Sequence, residues 1–145
     1  MNEYMSKAYD LALLAYKHDE IPIGAVIVKD NEIIGVGYNH KEENKDVTAH
    51  AEILAIKQAS SYLDSWHLDE CVLYTTLEPC IMCTGAILQS RISKVVYATA
   101  SNRWDAMSHL IKDHTYNHNV ELDCSNDQEC IDLLQKYFKN KRLKK

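Results

Sequence analysis

The sequence predicts an α/β protein, a sheet with helices packed on its faces, and three observations carry that prediction. Two β-rich runs, Ala25–Lys29 and Glu32–Tyr38, flank the two-residue turn Asp30-Asn31 and read as a hairpin. After them, stretches with helical spacing alternate with short strand-like runs at 71–77, 94–98 and 119–123, the order from which helix-covered sheets are built. One of those runs ends at Pro79 and passes straight into a helical pattern that carries two cysteines, Cys80 and Cys83.

In residues 2–18, Tyr4, Met5, Ala8, Leu11, Ala12 and Ala15 recur at helical spacing, so the chain opens with an amphipathic helix. Glu20-Ile21-Pro22-Ile23-Gly24 is an irregular entry into the hairpin. Gly35 and Gly37 in its second strand signal a bulge or a close backbone approach, and Asn39-His40 ends it. Residues 41–47 are polar and loop-like. A helix then opens at Thr48, a good N-cap, places His50 in its first turn and runs to about Tyr62. After the strand at 71–77 another helix opens at Pro79, a residue suited to the first helical position, and continues to about Ser90. A strand at Lys94–Ala98, a short helix near Trp104–Lys112 and a fifth strand at Asn119–Asp123 follow. In the last helix Cys130, Ile131, Leu133, Leu134, Tyr137 and Phe138 form the apolar face. The helices from Thr48 and Pro79 open at one edge of the sheet, so their N-termini can converge.

That convergence gives the chain its chemistry. Cys80 and Cys83 lie at i and i+3 on one helix face, where the helix N-terminus favours thiolate over thiol. A Cys-x-x-Cys alone is more often a redox pair, part of a structural zinc site or two buried thiols than part of a catalytic centre. Joined by His50 it becomes a three-ligand set for a soft metal such as zinc, with Glu52 as a separate carboxylate. Three ligands and a free carboxylate describe an open site, whereas a structural zinc normally has four protein ligands.

Length and composition bound the rest. The 145 residues suit a single domain, 1–145, and 46% hydrophobic with 26% charged residues is ordinary for a soluble globular protein. No run approaches the ~20 apolar residues that span a membrane. The acidic, amphipathic start is unlike a secretory signal, which predicts a cytoplasmic protein whose Cys71, Cys124 and Cys130 stay reduced. The net charge of −5 hides an asymmetry: six of the 16 Lys and Arg lie in residues 136–145, which contain no acid. This basic tail is either a contact for phosphates or a solvated helix end that complements the helix dipole.

His50-x-Glu52 followed by Pro79-Cys80-x-x-Cys83 is already recognised as the signature of zinc-dependent nucleobase deaminases. The chain resembles the bacterial tRNA adenosine deaminases of the cytidine deaminase-like superfamily over nearly its whole length. The likeness rests on those two motifs and on Glu20-Ile21-Pro22-Ile23-Gly24, Leu77-Glu78-Pro79-Cys80-Ile81-Met82-Cys83, Ser90-Arg91-Ile92, Asn117-His118 and Leu134-x-x-Tyr137-Phe138-x-x-x-Arg142. The resemblance implies a three-layer α/β/α fold with a five-stranded mixed sheet. It implies one zinc ion per chain on His50, Cys80 and Cys83, with Glu52 as catalytic acid–base, converting adenosine to inosine in RNA at the wobble position of a tRNA anticodon stem-loop. It also implies a homodimer, with Ile81, Ile87 and Leu88 as candidate interface residues. Substrate contacts carried over from the family are Asn39 on the base, Pro22 in the pocket wall, Ala51, Ser101, Arg103, and Tyr137 with Phe138, which either stack on RNA or pack in the core.

One stretch departs from the family pattern. Where a glycine-rich loop with an aspartate and a lysine is expected, residues 98–108 lack glycine and carry Ser101 and Arg103 in those places. That departure keeps two further readings open, deamination of a free nucleobase or nucleoside and a non-catalytic, zinc-stabilised RNA-binding module.

Overall fold

Asp30 and Asn31 both adopt positive φ, 50° and 66°, the pair of left-handed residues that a tight type I′ hairpin turn requires. They join β1 (Gly24–Lys29) to β2 (Glu32–Tyr38) as an antiparallel pair. In this computed structural model, which describes residues 1–113, 116 and 118–143, the remaining strands are β3 (Val72–Thr75), β4 (Lys94–Tyr97) and β5 (Glu121–Cys124). Asn117, Lys144 and Lys145 lie outside the described residues. The strand order is β2-β1-β3-β4-β5, with β1 antiparallel to β3 and with β3, β4 and β5 parallel to one another. The sheet is therefore mixed and five-stranded, as expected.

Five helices cover it: α1 (Glu3–Lys17), α2 (Ala51–Leu63), α3 (Ile81–Ser90), α4 (Met107–Asp113) and α5 (Gln128–Leu143). Side chains alternate along the strands and so divide the core in two. Ala25, Ile27, Leu73, Val95 and Tyr97 pack with Ala51, Ala55 and Ala59 of α2, Ile87 of α3 and Met107 of α4. Val26, Val28, Val96 and Ala98 pack with Met5, Ala8 and Leu11 of α1 and with Cys130 at the start of α5. Leu134, one turn further along α5, joins the first cluster, so this helix passes around the end of the sheet. No helix among the described residues is long and apolar enough to cross a membrane.

The two glycines of β2 serve both purposes the sequence raised. Val28 pairs with Ile33 but Ile27 with Gly35, leaving Ile34 as the extra residue of a bulge. A Cβ on Gly35 would run into the Ala55 carbonyl, and one on Gly37 into the Ala51 carbonyl. Glycine thus lets α2 lie directly on β2 and sets the height of the helix start beside His50. Gly37→Ala should cost about 1–3 kcal/mol through overpacking, read as a lower urea midpoint at unchanged m. An unchanged midpoint would show that α2 can rise without loss.

Candidate metal centre and active-site cavity

The expected convergence occurs, but at the end of the central strand and not at an edge of the sheet. β3 is third of five strands, and its continuation through Glu78 leads into α3 beside the start of α2. Both helices begin later than their sequences suggested. Thr48 does not cap α2; its hydroxyl and N–H donate to Asp46 Oδ1 at 2.7 and 2.9 Å in a local turn. Pro79 precedes α3 by two residues, and its carbonyl accepts from Met107 N–H at the start of α4 (3.1 Å). The N-caps are the candidate ligands themselves, His50 (φ −83°, ψ 151°) and Cys80 (φ −76°, ψ 179°).

An N-cap side chain ordinarily satisfies the free N–H groups of its own first turn. Neither His50 nor Cys80 does so, and both turn to each other. His50 Nδ1 stands 3.6 Å from Cys80 Sγ and 3.5 Å from Cys83 Sγ, and the three atoms lie within 4.8 Å of one another. Such a trio can hold a metal ion. The Cys83 hydrogen bond, with help from His50, pushes the Cys80 thiol down to about 4. The same bond, with burial, drives Cys83 upward, and His50 is raised by its bond to Cys80.

Glu52 lies in the first turn of α2 and is only 4% exposed. Its Oε1 is buried without a hydrogen-bond partner. Burial pushes its carboxyl up to about 7, where a group can both take and give a proton at neutral pH. A buried acceptor with no partner is expensive and marks a place where a ligand or water completes the bonding.

His50, Glu52 and Cys80 form the floor of a cavity of about 430 Å³. Asn39 lines it too, 3% exposed, with Oδ1 accepting from Ala51 N–H at 3.0 Å. That bond supplies α2 with the cap that His50 withholds and leaves the amide N–H2 of Asn39 as the donor for a ligand. Arg103 and Phe138 also reach the cavity. The other expected contacts do not line it. Pro22 is buried between Ile21 and Ile23, which do. Ala51 is fully buried, with its N–H taken by Asn39. Ser101 points into its own loop, where its Oγ accepts from Arg103 N–H at 3.3 Å. Tyr137 packs edge-on against Tyr16 of α1, ring centroids 6.4 Å apart, and braces α5.

Two buried carboxylates, to which the sequence alone assigns no role, hold the cavity's flanking loops. Glu20 accepts from Glu42 N–H (3.0 Å) and Glu43 N–H (2.7 Å), which places Lys41 in the wall. Glu78 accepts from Ser101 N–H (3.0 Å) and Ser108 N–H (2.7 Å) across the divergent loop. Both acids sit inside motifs, Glu20 before Ile21-Pro22 and Glu78 before Pro79-Cys80. For Glu78, an acid between Leu77 and Pro79-Cys80-Ile81 is the signal that could have found it, whereas Glu20 follows the polar Lys17-His18-Asp19 and carries no such signal.

The model of the MafB19-like deaminase family matches residues 1–142. A tRNA-specific adenosine deaminase of Aquifex aeolicus (strain VF5) is 42% identical over 144 residues, which is 97% of this chain and 95% of that protein. Among solved structures, a tRNA:A34 deaminase from a study of A-to-I editing at the wobble position of transfer RNA is similar with a TM-score of 0.84. It is 34% identical, and the match covers 90% of this chain and 98% of that one. A guanine deaminase of Bacillus subtilis is also similar, with a TM-score of 0.66 and 34% identity over 96% of this chain and 95% of that chain.

Proposed function

The chain belongs to the MafB19-like deaminase family, and from that premise we propose that it converts adenosine to inosine in RNA, at the wobble position of a tRNA anticodon loop. Its five-stranded mixed sheet between helices is the cytidine deaminase-like arrangement the sequence predicted. The observation that carries the chemistry is the partnerless Oε1 of Glu52, buried beside three convergent ligand atoms in the floor of an open cavity.

His50, Cys80 and Cys83 hold one zinc ion per chain. Zn–S bonds of about 2.3 Å and Zn–N bonds of about 2.0–2.1 Å in a tetrahedron put sulfur and nitrogen roughly 3.5–3.6 Å apart. The observed separations of 3.6 and 3.5 Å fit that edge. When bound, the ion supplies a Lewis acid and lowers the pKa of a water to about 7. The chain's own residues do the rest. Glu52 takes the proton of the attacking water and delivers it to the ring nitrogen beside C6. It then takes the remaining proton from the hydroxyl now on C6 and gives it to the amino group, so that the C6=O bond forms as the C–N bond breaks and ammonia leaves. Asn39 donates to the base from an amide that Ala51 holds in place, and Leu77, Ile23 and Phe138 keep bulk water from the reacting face.

RNA binding requires a cationic path over an acidic body. Lys136, Lys139 and Arg142 on the exposed side of α5 supply it near Phe138, while Lys141 is paired with Asp19 at 2.9 Å. Replacing Lys139 and Arg142 by Gln should weaken stem-loop binding and flatten its salt dependence by about one unit of slope for each phosphate no longer neutralised. An unaltered slope would remove α5 from the interface.

We place the enzyme in the cytoplasm as a single-domain homodimer. Ile81, 53% exposed, and Gly85, with open space around it, form the outward face of α3 that a second copy covers. Ile87 is not part of that face, since it is wholly buried in the core. Sedimentation at micromolar concentration is expected to show a dimer, and a monomer alone would refute this.

The deciding assay compares an anticodon stem-loop with adenosine, adenine, guanine and cytosine. Preferential turnover of the stem-loop is expected. The similarity to the B. subtilis guanine deaminase supports the second reading. Efficient turnover of guanine with no action on the stem-loop would establish it.

A further inference from the structure

The glycine-free loop after β4 is held at both ends. Glu78, itself 4% exposed, accepts from Ser101 N–H and Ser108 N–H, and its own N–H donates to Thr99 O at 2.9 Å. Between those anchors Arg103 Nε donates to Asp105 Oδ1 at 2.9 Å, and Nη2 donates to Oδ2 at 3.3 Å. The Asp105 carboxylate is only 9% exposed, while the arginine side chain is 71% exposed. Both residues line the cavity that contains Glu52.

This pairing is unusual for what it leaves over. A guanidinium has five N–H groups, and the side-on pair uses one on Nε and one on Nη2. Three remain, and two of them, one on each Nη, form the outer fork that matches two phosphate oxygens at once. An unattached surface arginine would sweep through many rotamers. Here a buried carboxylate on an anchored loop orients the fork at the cavity. The pair is neutral as a unit, so its contribution is orientation and hydrogen bonding more than long-range attraction. Ser101 does not add a negative charge to this segment, as an aspartate there would.

A base lowered onto Glu52 leaves its sugar and flanking phosphates at the mouth. Arg103 is already among the contacts that the family resemblance implies; we propose that Asp105 is its positioning residue, holding the guanidinium so that it binds the phosphodiester adjoining the target adenosine and thereby favours a nucleotide within a strand over a free base or nucleoside. The inference rests on the RNA reading given above.

The test uses the intact enzyme and an anticodon stem-loop with adenosine at the wobble position. Two further stem-loops carry a single uncharged methylphosphonate linkage, one 5′ and one 3′ of that adenosine. The enzyme is compared with Arg103→Gln, Arg103→Lys and Asp105→Asn, after metal content and thermal midpoint show each variant folded and loaded. One of the two methylphosphonates should raise KM about 10–100-fold for the unaltered enzyme, the range expected on removing a charge-assisted bidentate interaction. Which one does so identifies the phosphate. The same linkage should matter little to Arg103→Gln, which no longer holds that phosphate. Arg103→Lys should recover only part of the affinity, and Asp105→Asn should raise KM while Arg103 is present. An equal methylphosphonate penalty with and without the Arg103 guanidinium, or an Asp105→Asn enzyme with unchanged KM and an unchanged penalty, would overturn the inference and leave the RNA reading intact. Failure of the unaltered enzyme to act on any stem-loop would overturn both.

Discussion

Glu52→Gln should reduce turnover by at least roughly 10²–10⁴-fold, the usual worth of a positioned general acid–base. The loss is expected towards the upper end or beyond, because one carboxylate serves the attacking water, the ring nitrogen and the leaving ammonia. The variant should keep its metal and its fold. Glu52 carries a buried oxygen with no partner, and its carboxyl is pushed up to about 7 by burial, so it is held against its own solvation preference. A neutral amide of the same size relieves part of that cost, and the thermal midpoint should stay level or rise. Such a trade of stability against activity is common where function needs an unfavourable group. Single-turnover rates, elemental analysis and a melting curve decide the matter. Unimpaired turnover would make Glu52 structural and favour the RNA-binding module. Loss of the metal would make Glu52 a ligand.

Cys83→Ser should abolish both metal binding and activity. Cys83 is wholly buried and stands at one corner of the ligand triangle, 3.5 Å from His50 Nδ1. A serine hydroxyl is a harder and far less acidic ligand, ill-suited to a zinc ion. It would also be buried with little to bond, at about 1–3 kcal/mol. Chelation of the unaltered protein should give the same inactive state without a mutation, with a lower thermal midpoint, since a metal that binds only the folded chain stabilises it by mass action. Stoichiometric zinc should restore both, and magnesium neither. An active chelated protein would exclude the metal from the chemistry, and a fully loaded Cys83→Ser would mean that another side chain beside the trio, such as Glu52, completes the site.

The cluster of candidate ligands was legible because its motifs are local. Pro79-Cys80-x-x-Cys83 and His50-x-Glu52 each announce their chemistry within a few residues, and the strands between which they fall show their own periodicity. The hairpin turn was legible for the same reason, since Asp and Asn tolerate the left-handed backbone that Asp30 and Asn31 adopt. The helix starts were misplaced because their caps come from elsewhere in the chain. Asn39 caps α2 from the end of β2, and Glu78 satisfies Ser108 N–H in the first turn of α4 from 30 residues away. No short window of sequence contains both partners.

Sequence by itself determined the fold class and pointed to the three residues that converge, His50, Cys80 and Cys83, and to the acid beside them, because residue type and short spacing suffice for those. Tertiary structure alone decided which side chains meet the cavity. Tyr137 and Phe138 are neighbours on one apolar helix face, yet successive residues on a helix point about 100° apart. Only the docking of α5 on Tyr16 makes Tyr137 a brace and gives Phe138 to the cavity. Likewise Arg103 reads as one exposed cation in a polar loop. Its partner Asp105 is buried only because Glu78 anchors the loop at Ser101 and Ser108. Orientation at a site depends on contacts between segments far apart in the chain, and those contacts exist only once the sheet has brought the segments together.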